Sequence, residues 1–139
     1  MAKYKYIYCD VYKRGVSVFI GDCESLKKWA KKAYDYPEVQ DMIKDILECS
    51  DEEYRNNDVT ARCYCSNAGC WIVHIPSFSF TYNPTEITKM SHELLHATMG
   101  LLDFIGVEYR YNGNNEPYTY LHEYLLTEAL IEKGYKNVK

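Results

Sequence analysis

The segment from Asn83 to Ile105 constrains the fold most, because its sequence specifies one long helix. It opens with NPTE, in which Asn83 suits the cap, Pro84 the first helical position and Glu86 the third. Four leucines would make this helix deeply buried: Leu94, Leu95, Leu101 and Leu102. Gly100 costs about 1 kcal/mol relative to alanine in mid-helix, and we attribute it to a close crossing by the last helix of the chain.

Strand and helix patterns precede this segment. YKYIYCDVY alternates with period two and turns at KRG into VSVFI, which predicts a β-hairpin. Two amphipathic helices follow, one capped by Asp22 and running through CESLKKWAKKAYDY, the other beginning near Pro37 and running through EVQDMIKDILEC. The polar stretch SDEEYRNND is predicted to be a loop.

A second hairpin is predicted in VTARCYCSNAGCWIVHIP, with its turn at SNAG. Its expected register pairs Cys65 with Cys70, Cys63 with Ile72 and Tyr64 with Trp71. SFSFTY is a strand or an extended link, and GVEYRYNGNN is a loop between the long helix and a final helix from Glu116 to Lys133. The order ββααββαα predicts one small α+β domain over residues 1–139, with two hairpins forming a sheet that packs on helices.

Composition excludes several classes of protein. The chain has 139 residues, a net charge of −4 and a pI near 5.6, which argues against nucleic acid as a partner. It contains no apolar run of about 18 residues, so we expect no membrane span. MAKYKYIYCD does not resemble a signal peptide, so we expect a cytoplasmic protein whose six cysteines are thiols.

Chemistry is concentrated in HELLH, in the middle of the long helix. Residues four apart share a helix face, so His92 and His96 can bind one metal ion. Glu93 lies about 100° round the helix from His92, where it can reach a water at that metal without being a ligand. The alternative is a helix with two core histidines, but buried imidazoles without partners are unfavourable and a metal ion would satisfy both.

A third ligand has to come from another segment, and the candidates are Glu116, His122 and Glu123. His122 lies about 240° round the last helix from Glu116, so the two cannot both face the metal. Glu123 shares the face of Glu116 and is a reserve ligand or a partner of a ligand. Tyr120 and Tyr124 could donate hydrogen bonds to an oxyanion or could simply pack.

The spacing of these residues resembles the zincin metallopeptidases, specifically their gluzincin or thermolysin-like branch. In that branch HExxH is followed, after about nineteen residues, by a helix whose glutamate completes the zinc site and is preceded by Asn. Here HELLH is followed by nineteen residues and then by Glu116, which Asn115 precedes. The resemblance covers residues 83–128, about a third of the chain.

The resemblance implies a zinc ion held by His92, His96 and Glu116. Glu93 would then polarise a water that attacks a carbonyl group, most plausibly the peptide bond of a peptide or protein substrate. Two features depart from thermolysin-like enzymes: Tyr120 replaces an aspartate that supports a ligand, and their large second subdomain has no counterpart here. Both departures concern catalysis rather than zinc binding.

The chain also resembles small zincin-like proteins of phages and mobile elements, which pair an HExxH helix with an EP(Y/F)xYL helix behind an N-terminal hairpin. Two alternatives to a peptidase follow. One is a zinc-binding interaction or structural protein without turnover. The other is an SprT-like protease of DNA-associated proteins, in which His122 would be the third ligand. The acidic charge and the Asn–Glu spacing favour Glu116 over His122.

The strand before the long helix has two further implications. In zincins an edge strand lies beside the bound substrate, and CWIVHIP is the expected edge, so His74 could border the cleft or could be idle. Cys63, Cys65, Cys70 and His74 could bind a second, structural metal. Against this, Cys63 and Cys65 are closer together than the usual C-x2–4-C spacing, and cysteines commonly pack as small apolar residues.

Overall fold

A mixed five-stranded sheet forms the middle layer of the protein, in the order β3-β4-β2-β1-β5. The computed structural model describes residues 1–113 and 115–139. Its elements are β1 (Lys3–Cys9), β2 (Arg14–Ile20), α1 (Cys23–Ala33), a 3₁₀ turn (Pro37–Val39), α2 (Gln40–Leu47), α3 (Asp51–Asn56), β3 (Arg62–Ser66), β4 (Cys70–Ile75), α4 (Pro84–Phe104), α5 (Glu116–Leu130) and β5 (Lys136–Asn137). The predicted α+β class and the order ββααββαα are confirmed, with α3 and the short β5 as additions.

The sheet joins the two predicted hairpins through a parallel pairing of β2 with β4, in which Val18 lies opposite Val73. Helices cover both faces. The core under α4 and α5 includes Val18, Val73, Leu94, Leu101 and Leu125. The core under α1, α2 and α3 includes Phe19, Ile72, Leu26, Met42 and Tyr54. Neighbouring strand residues such as Val18 and Phe19 therefore enter different cores, as the alternation of a strand requires.

Two predictions about β3 and β4 are wrong. The turn has three residues rather than four, because Gly69 adopts a φ of +87° and its N–H donates to the carbonyl of Ser66. The register therefore shifts by one, and Cys65 pairs with Trp71 rather than with Cys70. In addition, β4 is an interior strand, and β3 is the edge. Almost every residue of β4 is buried, which is typical of a strand covered on both faces.

The helix α4 is confirmed nearly to the residue. Asn83 caps it, with Oδ1 accepting the N–H of Glu86 at 2.9 Å, and Pro84 is its first residue. SFSFTY, which precedes it, forms no strand. The prediction for Gly100 is wrong. A Cβ atom at Gly100 would lie 2.5 Å from Nε1 of Trp71, so this glycine makes room for β4 and not for the last helix.

The helix α5 begins at Glu116 as predicted but ends at Leu130, three residues before the predicted end at Lys133. Lys5 of β1 explains the earlier end. Its ammonium group donates to the carbonyl oxygens of Glu128, Ile131 and Lys133 at 2.6, 3.1 and 3.0 Å, which satisfies acceptors at the helix C-terminus. The predicted loop before α5 includes Asn114, which lies outside the described residues.

The predicted loop SDEEYRNND contains the helix α3, so that prediction is wrong. Ser50 caps the helix by accepting the N–H of Glu53, and acidic residues occupy its first turn, where they favour a helix N-terminus. Tyr54 anchors the helix in the core, because its ring is buried and its hydroxyl group hydrogen-bonds with Tyr64 and His74.

Cys23 and Cys49 form a disulfide between the start of α1 and the end of α2, with their Cα atoms 5.9 Å apart. The expectation of six thiols is therefore wrong for this pair, and Cys9, Cys63, Cys65 and Cys70 are free. The expectation rested on compartment alone, whereas the packing of α1 on α2 brings together two cysteines 26 residues apart. No helix in residues 1–113 or 115–139 has the length and apolar character needed to cross a membrane.

Candidate metal centre

The two histidines of HELLH face each other on the outer side of α4. Nε2 of His92 lies 3.3 Å from Nε2 of His96. Zinc binds imidazole nitrogen at about 2.0–2.1 Å, and tetrahedral geometry then places two such nitrogens about 3.3–3.4 Å apart. The observed separation fits one shared zinc ion. The side chain of His92 is 68% exposed, so the pair is open to solvent and to a substrate.

Glu93 is the buried member of the motif, and its side chain is only 8% exposed. Oε1 lies 3.9 Å from Nε2 of His92, and Oε2 is buried with no hydrogen-bond partner among the described residues. Burial raises the pKa of Glu93, and the nearby His92, His96 and Arg62 partly oppose that rise. A carboxylate with an unsatisfied buried oxygen is costly, and such groups concentrate at functional sites.

The edge strand β3 supplies the environment of Glu93, which the sequence analysis did not predict. Burial, together with the charge of Glu93, raises the pKa of the Cys63 thiol to about 12. Cys63 is therefore a neutral thiol beside the carboxylate and contributes to its apolar surroundings. Contacts between β3 and α4 depend on a long-range packing that no local pattern in CYC or HELLH encodes.

The predicted third ligand, Glu116, is the first residue of α5 and is exposed. Its carboxylate interacts with the Tyr120 hydroxyl group, and this hydrogen bond raises the pKa of Tyr120. Among the described residues, one of the two groups whose potential ligand atoms all lie within 4.8 Å of one another consists of His92, Glu93 and His96. Glu116 is outside that group, so its role as a ligand stays a prediction.

The alternative ligand His122 lies beside α4. Its Nε2 is 3.0 Å from the carbonyl oxygen of Ser91 and 3.4 Å from the Ser91 hydroxyl oxygen. Ser91 directly precedes His92, so α5 contacts α4 next to HELLH through His122. The reserve candidate Glu123 is exposed. Neither residue belongs to the group formed by His92, Glu93 and His96 in the described part of the chain.

The two tyrosines proposed as oxyanion donors have different surroundings. The Tyr124 hydroxyl group donates to the carbonyl of Tyr8 at 2.8 Å, so it fastens α5 to β1. Tyr120 is 64% exposed and interacts with Glu116. Of the two, Tyr120 is the one whose hydroxyl group lies next to a candidate metal ligand.

Of the two alternatives for His74, bordering the cleft is excluded. His74 is fully buried on the opposite face of the sheet, where Nε2 lies 2.7 Å from the carbonyl of Gly21 and Nδ1 lies 2.9 Å from the Tyr54 hydroxyl group. The second metal site proposed for Cys63, Cys65, Cys70 and His74 is not assembled either. Cys63 packs in the core under α4, whereas Cys70 packs in the core on the other side of the sheet.

No family model, curated protein or solved structure matches this chain. The inference of a metal site and of its chemistry therefore rests on the residues and their geometry.

Proposed function

We propose that this protein is a zinc-dependent hydrolase of peptide bonds, with zinc held by His92, His96 and Glu116. The observation that carries the proposal is the 3.3 Å separation of the two imidazole nitrogens beside the buried, unsatisfied carboxylate of Glu93. When bound, zinc would supply a Lewis acid that polarises a carbonyl group and lowers the pKa of water at the site.

Glu93 would act as the general base. Burial raises its pKa, which makes it a better proton acceptor near neutral pH than an ordinary glutamate. Glu93 takes a proton from the attacking water as the water oxygen bonds to the carbonyl carbon. It then delivers that proton to the nitrogen atom as the C–N bond breaks. The products are a carboxylic acid and an amine, and Glu93 returns to its ionised form.

The sheet supports an extended peptide as the substrate. Within the described residues β3 pairs only with β4, so its outer edge has unpaired backbone groups. An extended peptide can add to such an edge through backbone hydrogen bonds. Because β3 also packs against α4 next to Glu93, a peptide on that edge would lie close to the two histidines.

A three-histidine site is the second candidate, supported by the contact of His122 with Ser91. It would catalyse the same reaction with His122 in place of Glu116. The remaining alternative is a protein that binds zinc without turnover. Substitution of Glu93 distinguishes this alternative from the two catalytic sites, the one with Glu116 and the one with His122.

Glu93→Gln tests the hydrolase proposal, because glutamine keeps the shape but cannot accept the proton. We expect unchanged zinc content, an unchanged or slightly higher melting temperature, and hydrolysis reduced by about 10²–10⁴. A fluorogenic library of unstructured peptides would reveal cleavage. Glu52→Gln, an exposed change on α3, is the matched control. A zinc-loaded wild type that cleaves no library member, or a Glu93→Gln variant as fast as the wild type, would leave zinc with a structural role.

A further inference from the structure

A second group of metal-binding side chains lies in the other core, on the opposite face of the sheet from HELLH. Sγ of Cys23, Sγ of Cys49 and a ring nitrogen of His74 all lie within 4.8 Å of one another. All three residues are buried, with exposures of 0%, 2% and 0%. They come from the first residue of α1, the segment between α2 and α3, and the interior strand β4.

The hydrogen bonds of His74 define its tautomer. The carbonyl of Gly21 can only accept, so Nε2 carries the proton and donates it. Nδ1 is then unprotonated and accepts from the Tyr54 hydroxyl group. Metal-bound histidines usually donate their other ring N–H to a carbonyl or carboxylate group in this way. The lone pair of Nδ1 becomes available to a metal ion once the Tyr54 hydroxyl group is displaced.

The two sulfur atoms are equally well placed. Thiolates of two cysteines on one zinc ion lie about 3.8 Å apart, given Zn–S bonds of about 2.3 Å and tetrahedral angles. The Cα atoms of Cys23 and Cys49 are 5.9 Å apart, and side-chain rotation at that distance accommodates either a disulfide or a shared ion. Cys23 also lies at the N-terminus of α1, where the helix dipole stabilises negative charge.

We propose that the Cys23–Cys49 pair is a redox gate for a second metal site. A dithiol reductant converts the disulfide to two thiols and is itself oxidised to a disulfide. The two thiols then lose their protons to solvent as a soft divalent ion, zinc or cobalt, binds both sulfur atoms and Nδ1 of His74. Asp51 is the candidate fourth ligand, since its Oδ1 already accepts the N–H of Cys23 at 3.1 Å.

The gate would preserve the architecture in both redox states. The disulfide and the metal each link α1 to the segment between α2 and α3, and the metal adds a bond to β4. The oxidised protein therefore keeps this site closed, and the reduced protein exchanges one cross-link for another. This inference does not depend on the hydrolase proposal, because its ligands lie on the opposite face of the sheet and include no residue of HELLH.

Cobalt titration of the reduced full-length chain tests the proposal, because thiolate ligands give sulfur-to-cobalt charge-transfer absorption that HELLH cannot give. We expect one cobalt ion with thiolate absorption in the reduced wild type and none in the oxidised protein. Cys23→Ser and Cys49→Ser should abolish the absorption, and Cys65→Ser, on the other face, should keep it. Circular dichroism would confirm that each variant is folded.

Two results would overturn the proposal: a folded, reduced wild type without thiolate absorption, or absorption that survives in both Cys23→Ser and Cys49→Ser. The role of His74 has its own readout, in the His96→Ala variant that lacks the proposed site on α4. Proton NMR of its cobalt form should show one exchangeable, paramagnetically shifted resonance from the Nε2–H of His74 that donates to Gly21. Its absence in a cobalt-loaded sample would exclude His74 as a ligand.

Discussion

At the scale of one residue, Glu93 combines a cost to the stability of the fold with a proposed function. A buried carboxylate oxygen without a partner costs about 1–3 kcal/mol or more, because water would have solvated it in the unfolded chain. The other carboxylate oxygen, Oε1, lies 3.9 Å from Nε2 of His92, which is too far for a hydrogen bond. The proposed proton-transfer role would give the unsatisfied group a function, so the proposed metal centre would account for both the histidines and the glutamate.

The identity of the third ligand can be decided by paired substitutions on α5. Glu116→Ala should lower zinc affinity by at least about tenfold if the gluzincin-like arrangement holds, because the ion would lose a charged ligand. His122→Ala should leave zinc affinity nearly unchanged and lose only its hydrogen bond to Ser91. Competition with a chromophoric chelator would measure both affinities. The reverse pattern would establish the three-histidine site.

His74 should make stability depend on pH. Burial lowers the pKa of His74 below its ordinary value of 6.5, so folding favours the neutral ring. The contribution of neutral His74 to the free energy of unfolding is complete above pH 6.5. It is lost as the pH falls below that value, because the unfolded chain then binds the proton more readily than the folded chain. Urea unfolding of the disulfide-linked protein should show a loss of up to about 1.4 kcal/mol per pH unit from this residue.

His74→Gln provides the comparison for that titration. The variant should be less stable than the wild type at pH 7.5, because the hydrogen bonds with Gly21 and Tyr54 are altered. The stability difference should shrink as the pH is lowered to 5.5. A constant difference over this range would mean that His74 keeps an ordinary pKa in the folded protein.

At the scale of elements, local chemistry predicted α4 well and the hairpin β3–β4 poorly. The cap at Asn83 and the proline after it are short-range signals, and they define the start of α4 in any context. The register of β3 against β4 depended on whether Ser66 belongs to the turn or to β3, and moving one residue from the turn into the strand changes the partner of every strand residue. The helix α3 was missed because its six residues are nearly all polar, although Ser50 and Tyr54 mark its cap and its anchor.

The packing of α4 on β4 can be tested at Gly100. Gly100→Ala adds a methyl group that would lie 2.5 Å from Nε1 of Trp71. The gain of about 1 kcal/mol in helix propensity should be outweighed by the cost of overpacking, about 1–3 kcal/mol, so the variant should unfold at a lower denaturant concentration. Thr88→Ala, an exposed change on the same helix, is the control. A stabilised Gly100→Ala would show that α4 and β4 are not in close contact there.

At the scale of the whole molecule, the features that the sequence did not predict are long-range contacts. The parallel pairing of β2 with β4 makes β3 the edge strand, and it follows from the helical crossover between the hairpins rather than from the strand sequences. The disulfide likewise joins residues that only the packing of α1 on α2 brings together. The part of the candidate site that lies on one helix, namely His92, Glu93 and His96, was predictable from the sequence. The third ligand from α5 stays a prediction, because its position depends on how α4 and α5 cross.

Zinc stoichiometry of the purified, disulfide-linked protein tests the central claim most directly. The oxidised form is the appropriate one, because it keeps the cysteine site closed and leaves HELLH as the place for zinc. Native mass spectrometry should find one zinc ion per chain in the wild type and none in His96→Ala, while His74→Gln should retain it. Wild-type protein that stays free of zinc when the ion is supplied, or a folded His96→Ala variant that keeps one equivalent, would contradict a metal centre on α4.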